Sequence, residues 1–270
     1  MRFMLPLAVV CAAALYVIAF GLGEGRPGRV SFDVYGYFYP HILHALSGVA
    51  DGWRGLLWNP FQNCGQPFFG ITETGLLYPL NLLFLMLDPP TALRGVMLTN
   101  LIIGGLGTYA LSRELGVRPM ASVGAALAFV LGPAVYHLTT WMPTVQAPYV
   151  WMPVSMWCCE RLVKAPSVRG ALLLGMTLAV ALLPGHPQFV LFTCQLITLR
   201  LLWSVLTASE RPQFIRAVGG VALALVVMLL LTAVQLLSSL EVIAESVRRS
   251  ALLPGEVAPR GAERLSDIAG

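Results

Sequence analysis

Seven stretches of the chain, 3–23, 91–112, 119–138, 148–163, 170–183, 188–206 and 217–237, are apolar almost throughout. A helix rises about 1.5 Å per residue and a bilayer's hydrocarbon core is about 30 Å thick, so ~20 such residues make one crossing. In lipid the backbone must satisfy its own hydrogen bonds, which makes helices the natural form for these segments. The expectation is an all-α, polytopic transmembrane helix bundle of about seven spans. Composition agrees, with 57% hydrophobic residues, 11% charged residues and a mean hydropathy of +0.76. Soluble domains need about a quarter charged residues to face water.

The first stretch follows a single arginine and is long for a signal peptide, so it reads as a retained span. The run 76–87 is too short to cross alone. It is bounded by Tyr78-Pro79 and by Asp88-Pro89-Pro90, which fits a short interfacial or re-entrant helix. With the N-terminus in the cytoplasm, the inner loops then hold Arg113 and Arg118, Arg161, Lys164 and Arg169, and Arg211 and Arg216. The outer connections 139–147 and 184–187 hold no Lys or Arg, as the positive-inside rule requires. Arg200, near the inner end of its helix, can snorkel to that interface. The bundle is expected over 1–237, with a large outer loop at 24–90. An outer juxtamembrane segment, 238–270, would lead into a further C-terminal part.

Net charge is only +4 and the basic residues are scattered, which argues against nucleic acid as a partner. The five cysteines lie mostly in apolar runs without C-x-x-C spacing, so neither a disulfide framework nor a zinc site is expected.

Polar features converge on the outer face. The loop from Asp33 to Asn81 sets a carboxylate among Tyr35, Tyr37 and Tyr39, surroundings that can tune it for proton abstraction. The alternatives are a helix N-cap for Asp33 and a membrane-surface aromatic belt for the tyrosines. Asn59 in Trp-Asn-Pro and Gln66 in Gly-Gln-Pro pair fixed backbone angles with amides suited to sugar hydroxyls, or simply fold the loop. His41 and His44 share a helical face and with Asp33 could hold a divalent cation, or else form an interfacial face. No metal ligands are assigned, no cofactor is certain, and a divalent cation stays open. The Pro-Gly-His-Pro-Gln run at 184–188 places His186 and Gln188 at a break between two apolar segments, which implies a cleft. Arg248 and Arg249 could grip a phosphate bidentately, or pair with Glu241 or Glu245. No Walker A, H-E-x-x-H or G-x-S-x-G sequence occurs.

The ordered set D-x-x-x-Y-F-Y-P at 33–40, W-N-P at 58–60, G-Q-P at 65–67, Y-P-L-N at 78–81, G-H-P-Q at 185–188 and A-V-Q-L-L-x-S-L-E at 233–241 resembles YfhO-type bacterial membrane proteins. That resemblance implies a GT-C-like glycosyltransferase of the bacterial cytoplasmic (inner) membrane. Such an enzyme takes sugar from a polyprenyl-phosphate donor and passes it to a cell-envelope glycan, lipid or protein on the outer face. The first outer loop of the GT-C group carries an acidic catalytic residue, and Asp33 occupies the matching position. Tyr37, Tyr39, Asn59, Gln66, Tyr78, His186, Gln188, Arg248 and Arg249 would contact substrate. Many members carry paired acidic residues where this chain has Asp33 followed by Val34, a departure that bears on any two-metal mechanism. Members are also longer, which makes this chain an expected N-terminal fragment. A lipid or polysaccharide transporter and a noncatalytic envelope-assembly subunit are the competing expectations.

Overall fold

The computed structural model describes residues 4–21, 33–52, 54–62, 64–207 and 211–245. Each of the seven apolar stretches is helical there, although the boundaries differ from expectation in ways that residues explain. Helix α1 runs Met4–Gly21 and α2, after a single π-helical turn at Val34–Phe38, runs Tyr39–Ala50. The long helices are α3 (Pro89–Glu114), α6 (Pro143–Lys164), α8 (Pro187–Thr207) and α9 (Arg211–Glu245), with α7 at Val168–Leu182. The stretch expected as one span at 119–138 is broken into α4 (Pro119–Val130) and α5 (Pro133–Trp141). Gly132 and Pro133 cause the break, because proline lacks the N–H that would continue the ladder. Local chemistry also sets the starts: the Asp88 side chain accepts from the Thr91 N–H at 3.2 Å, and the Ser167 hydroxyl accepts from the Gly170 N–H at 3.1 Å.

Among the described residues, four helical segments are long and apolar enough to cross a bilayer: Pro89–Glu114, Pro119–Trp141, Pro187–Leu206 and Pro212–Glu245. The protein is therefore nearly all-α with the build of a membrane protein. Large apolar side chains of α8 and α9, such as Leu199, Trp203, Leu230 and Leu237, are exposed, as lipid contact favours.

The core has two halves. Val10, Ala14 and Val17 of α1 pack with Leu101, Val123, Ala126 and Val130, while Cys159 and Leu162 of α6 pack with Leu174, Leu178, Val221 and Ala224. Helices α3 and α6 join the halves through small residues. A methyl at Gly107 would lie 2.5 Å from a Val154 methyl, so only glycine lets these backbones approach so closely.

One end of the bundle gathers the basic connections. Lys164 pairs with Glu114 at 3.1 Å and Glu160 at 3.5 Å, and Arg200 grips Glu160 bidentately at 2.5 and 3.1 Å. Gln213 donates to the Val163 and Lys164 carbonyls, tying the start of α9 to the same end. The opposite end carries the segment 33–88. It holds α2, an antiparallel pair β1 (Trp58–Asn59) and β2 (Gln66–Pro67), and 3₁₀ turns at Thr72–Thr74 and Pro79–Leu85. The run expected as an interfacial or re-entrant helix is thus a 3₁₀ turn that starts at Pro79 and packs on α3. Helix α9 continues unbroken past 237, the expected end of the bundle, because Gln235 and Ser239 find partners: Gln235 donates to the Phe69 carbonyl at 3.2 Å and to the Ser239 hydroxyl at 3.3 Å.

Candidate functional site

The site forms where the 33–88 segment meets the turn between α7 and α8. Glu73, on the 3₁₀ turn Thr72–Thr74, projects among Tyr37, His41 and His186 and lines a cavity of about 40 Å³. That space admits about two or three water molecules. Two features aim the turn. Gly75 closes it in the left-handed conformation, at φ +60°, and its carbonyl accepts from the Asn81 amide at 2.8 Å. Gly185, at φ +103°, then lies so close that a methyl there would sit 1.9 Å from the Thr72 carbonyl oxygen.

His41 is 2% exposed and stacks on Phe68, with ring centroids 5.6 Å apart. Its Nδ1 donates to the Tyr37 carbonyl at 2.6 Å, so Nε2 carries a lone pair, and that atom is buried without a partner. Burial lowers its pKa, the Tyr37 carbonyl bond and the Glu73 charge oppose that, and His44 adds to the lowering. The imidazole is accordingly neutral near pH 7. Burial likewise lowers His186, partly offset by Glu73, and its Nε2 hydrogen-bonds the Thr144 hydroxyl at 3.0 Å. Burial raises the pKa of the Tyr37 phenol, and the adjacent Glu73 carboxylate adds its charge and a hydrogen bond in the same direction.

Below the cavity, a buried polar chain pins the segment to the bundle. Tyr78 donates to Asn100 at 2.5 Å and accepts from the Trp151 indole at 3.1 Å. Asn100 donates to Gln146 at 3.3 Å, and Gln146 donates to Thr139 at 2.8 Å. Burial raises the Tyr78 pKa, against the two hydrogen bonds. Beside the cavity runs an apolar groove of about 200 Å³ between α2 and the Pro79–Leu85 turn. The two share the walls Ile42, Thr74, Asn81 and Phe84.

The expected residues distribute unevenly around this arrangement. Tyr37, Tyr78 and His186 belong to it. Asp33 is exposed at the start of the π turn, makes no capping hydrogen bond, and is not among the cavity's lining residues. Tyr39 is half-buried and Gln188 exposed. Asn59 and Gln66 are engaged within the hairpin: both amides donate to Gln62, at 3.2 and 3.1 Å, and Asn59 accepts from the Phe61 N–H at 3.0 Å. His41 and His44 do share a face, but they clasp Phe68 between them. Among the described residues no three His, Cys, Asp or Glu side chains group to hold a metal ion. The Tyr35 side chain, Arg248 and Arg249 lie outside the described residues.

Glu73 is not among the residues expected from the sequence. Its signal was present: a glutamate in Thr-Glu-Thr-Gly, between two motifs of the same loop, directly before a glycine that must turn.

No family model, curated protein or solved structure matches this chain.

Proposed function

We propose that the protein is a membrane glycosyltransferase of GT-C-like build that moves a sugar from a polyprenyl-phosphate donor to a cell-envelope acceptor. One observation carries the reading: a carboxylate and a neutral histidine with a free lone pair line a small cavity, with the Tyr37 phenol bonded to that carboxylate, and the cavity shares its walls with an apolar groove. A lipid-linked sugar has that same division, a polar reacting end and a hydrocarbon tail. The residues quoted above that resemble YfhO-type proteins support the same assignment. Seven crossings, with the Glu73 end outward, would put the reaction where nucleotide sugars are absent and a bilayer-borne donor is needed.

In this mechanism the acceptor hydroxyl gives its proton to Glu73 while its oxygen bonds to the anomeric carbon. The carbon–oxygen bond to phosphate breaks, and polyprenyl phosphate leaves with the electron pair. His41 Nε2 accepts a hydrogen bond from a sugar hydroxyl, and Tyr37, which holds its proton, orients Glu73. Asp33 is the competing base. The test is transfer of radiolabel from polyprenyl-phosphate sugars to an envelope acceptor by the purified protein. General-base help is worth about 10²- to 10⁴-fold, so Glu73→Gln should lose that much while Asp33→Asn stays near wild type. The reverse pattern moves the base to Asp33. Label that crosses vesicles without a new glycosidic bond defeats the transferase reading.

A further inference from the structure

The opposite end of the bundle holds a second cavity, of about 280 Å³, at the turn between α6 and α7. Arg161 and Arg169 both line it, with Trp157, Ser167 and Gly170. The Arg161 guanidinium lies 5.2 Å above the Trp157 ring, a contact that fixes its direction without neutralising it. Among the described residues neither Arg161 nor Arg169 meets a carboxylate, since the ion pairs of this end are taken by Lys164 and Arg200. Across Ser167 a neighbouring cavity presents Arg216, whose Nε donates to the Pro212 carbonyl. Three cations thus surround one helix turn, and the volume exceeds what inorganic phosphate would fill. Directly along α7, Leu172, Leu173 and Met176 are exposed and apolar.

We propose that this cavity seats the headgroup of an anionic phospholipid. Arg161 and Arg169 hold the phosphodiester oxygens, the glycerol rests on Trp157, and the acyl chains lie along Leu172 and Met176. Guanidinium forks suit phosphate oxygens, and basic pockets between membrane helices favour such headgroups. The free arginines have the geometry of a binding site because they converge on one concave space. An arginine such as Arg118, exposed outside this cavity, only adds to the general field. The proposal requires a bilayer but not the transfer reaction, so the two stand or fall separately.

The test titrates phosphatidylglycerol into protein held in phosphatidylcholine nanodiscs, reading the melting temperature and the lipid retained in native mass spectrometry. Wild type should show saturable stabilisation. With about 1 kcal/mol for each arginine near a headgroup, Arg169→Gln should weaken apparent affinity about fivefold and the double variant Arg161→Gln/Arg169→Gln about 25-fold. Arg118→Gln should change little. Arg169 has no ion-pair partner among the described residues, so its single variant tests the site even if the double variant folds poorly. Equal losses in R118Q and R169Q would show general charge attraction and overturn the proposal. Stabilisation by millimolar inorganic phosphate that phosphatidylglycerol cannot exceed would overturn it as well, by assigning the cavity to a free anion.

Discussion

Replacing Gly185 by alanine tests whether Glu73 is aimed by the turn between α7 and α8. Two costs combine. A φ of +103° is a region that residues with a Cβ avoid, at roughly 1–3 kcal/mol. The new methyl would also lie 1.9 Å from the Thr72 oxygen, 2.2 Å from its carbon and 2.6 Å from the Glu73 nitrogen. All three are backbone atoms, so no rotamer change relieves the clash, and the two segments must part by about 1 Å or more. Overpacking of this kind costs a further 1–3 kcal/mol, roughly. Gly116 provides the control: its φ of +87° carries the conformational cost, yet a Cβ there meets nothing within 4 Å. Thermal unfolding should therefore place Gly185→Ala below Gly116→Ala by about 2–12 °C, at about 2–4 °C per kcal/mol for chains of this size. Because the displaced backbone carries Glu73, the proposed sugar transfer should fall about 100-fold, the loss typical of a 1 Å misplacement. A Gly185→Ala protein that melts with the Gly116→Ala control and retains transfer would refute the argument.

Two further outcomes follow from the site and the basic end. His41 and His186 have folded pKa values depressed by burial, so their neutral forms favour folding, and the unfolded chain binds protons first as pH falls. Their contribution is complete above about pH 6.5 and is lost progressively below it; melting temperatures should drop between pH 6.5 and 5, and a His41→Gln/His186→Gln protein should show a flatter profile. A wild-type profile that is level over that range would contradict the burial argument. At the basic end, Glu160→Ala leaves the Arg200 guanidinium without its carboxylate. Removing one partner of a buried pair costs about 3–5 kcal/mol, reduced to roughly 2–3 because Arg200 is 23% exposed. Replacing both with methionine should recover most of that loss in a thermal melt, and a double variant less stable than Glu160→Ala would count against it.

The helices were legible because lipid-length apolar runs have few other solutions. Their interruptions were less so. Gly132-Pro133 is a strong punctuation that the surrounding hydrophobicity concealed, and α9 runs past its apolar stretch because Gln235, itself bonded to Ser239, meets a loop about 170 residues earlier in the chain. The site was half legible. The Pro-Gly-His-Pro-Gln run lies beside the candidate cavity, but there its closest approach is made by Gly185, against a backbone brought to it from elsewhere. Asn59 and Gln66 read as free amides since nothing in a sequence says that Gln62 satisfies both. Glu73 was missed because its importance arises from tertiary neighbours, Tyr37, His41 and His186, that lie 32 or more residues away in sequence.

Helix α6 has a consequence for how the chain is made. It contains Pro148 and Pro153 and buries Gln146, Ser155 and Glu160, and it falls short of the apolar helices that would enter a bilayer unaided. Its Gln146 finds a partner on α3, which precedes it, and its Glu160 on Arg200 of α8, which emerges some 40 residues later. If α6 crosses a bilayer, Lys164 gives its glutamate a first partner one turn away, and the pairing is completed only when Arg200 of α8 arrives. A chain arrested between the two helices would leave that glutamate with Lys164 alone, without the bidentate guanidinium.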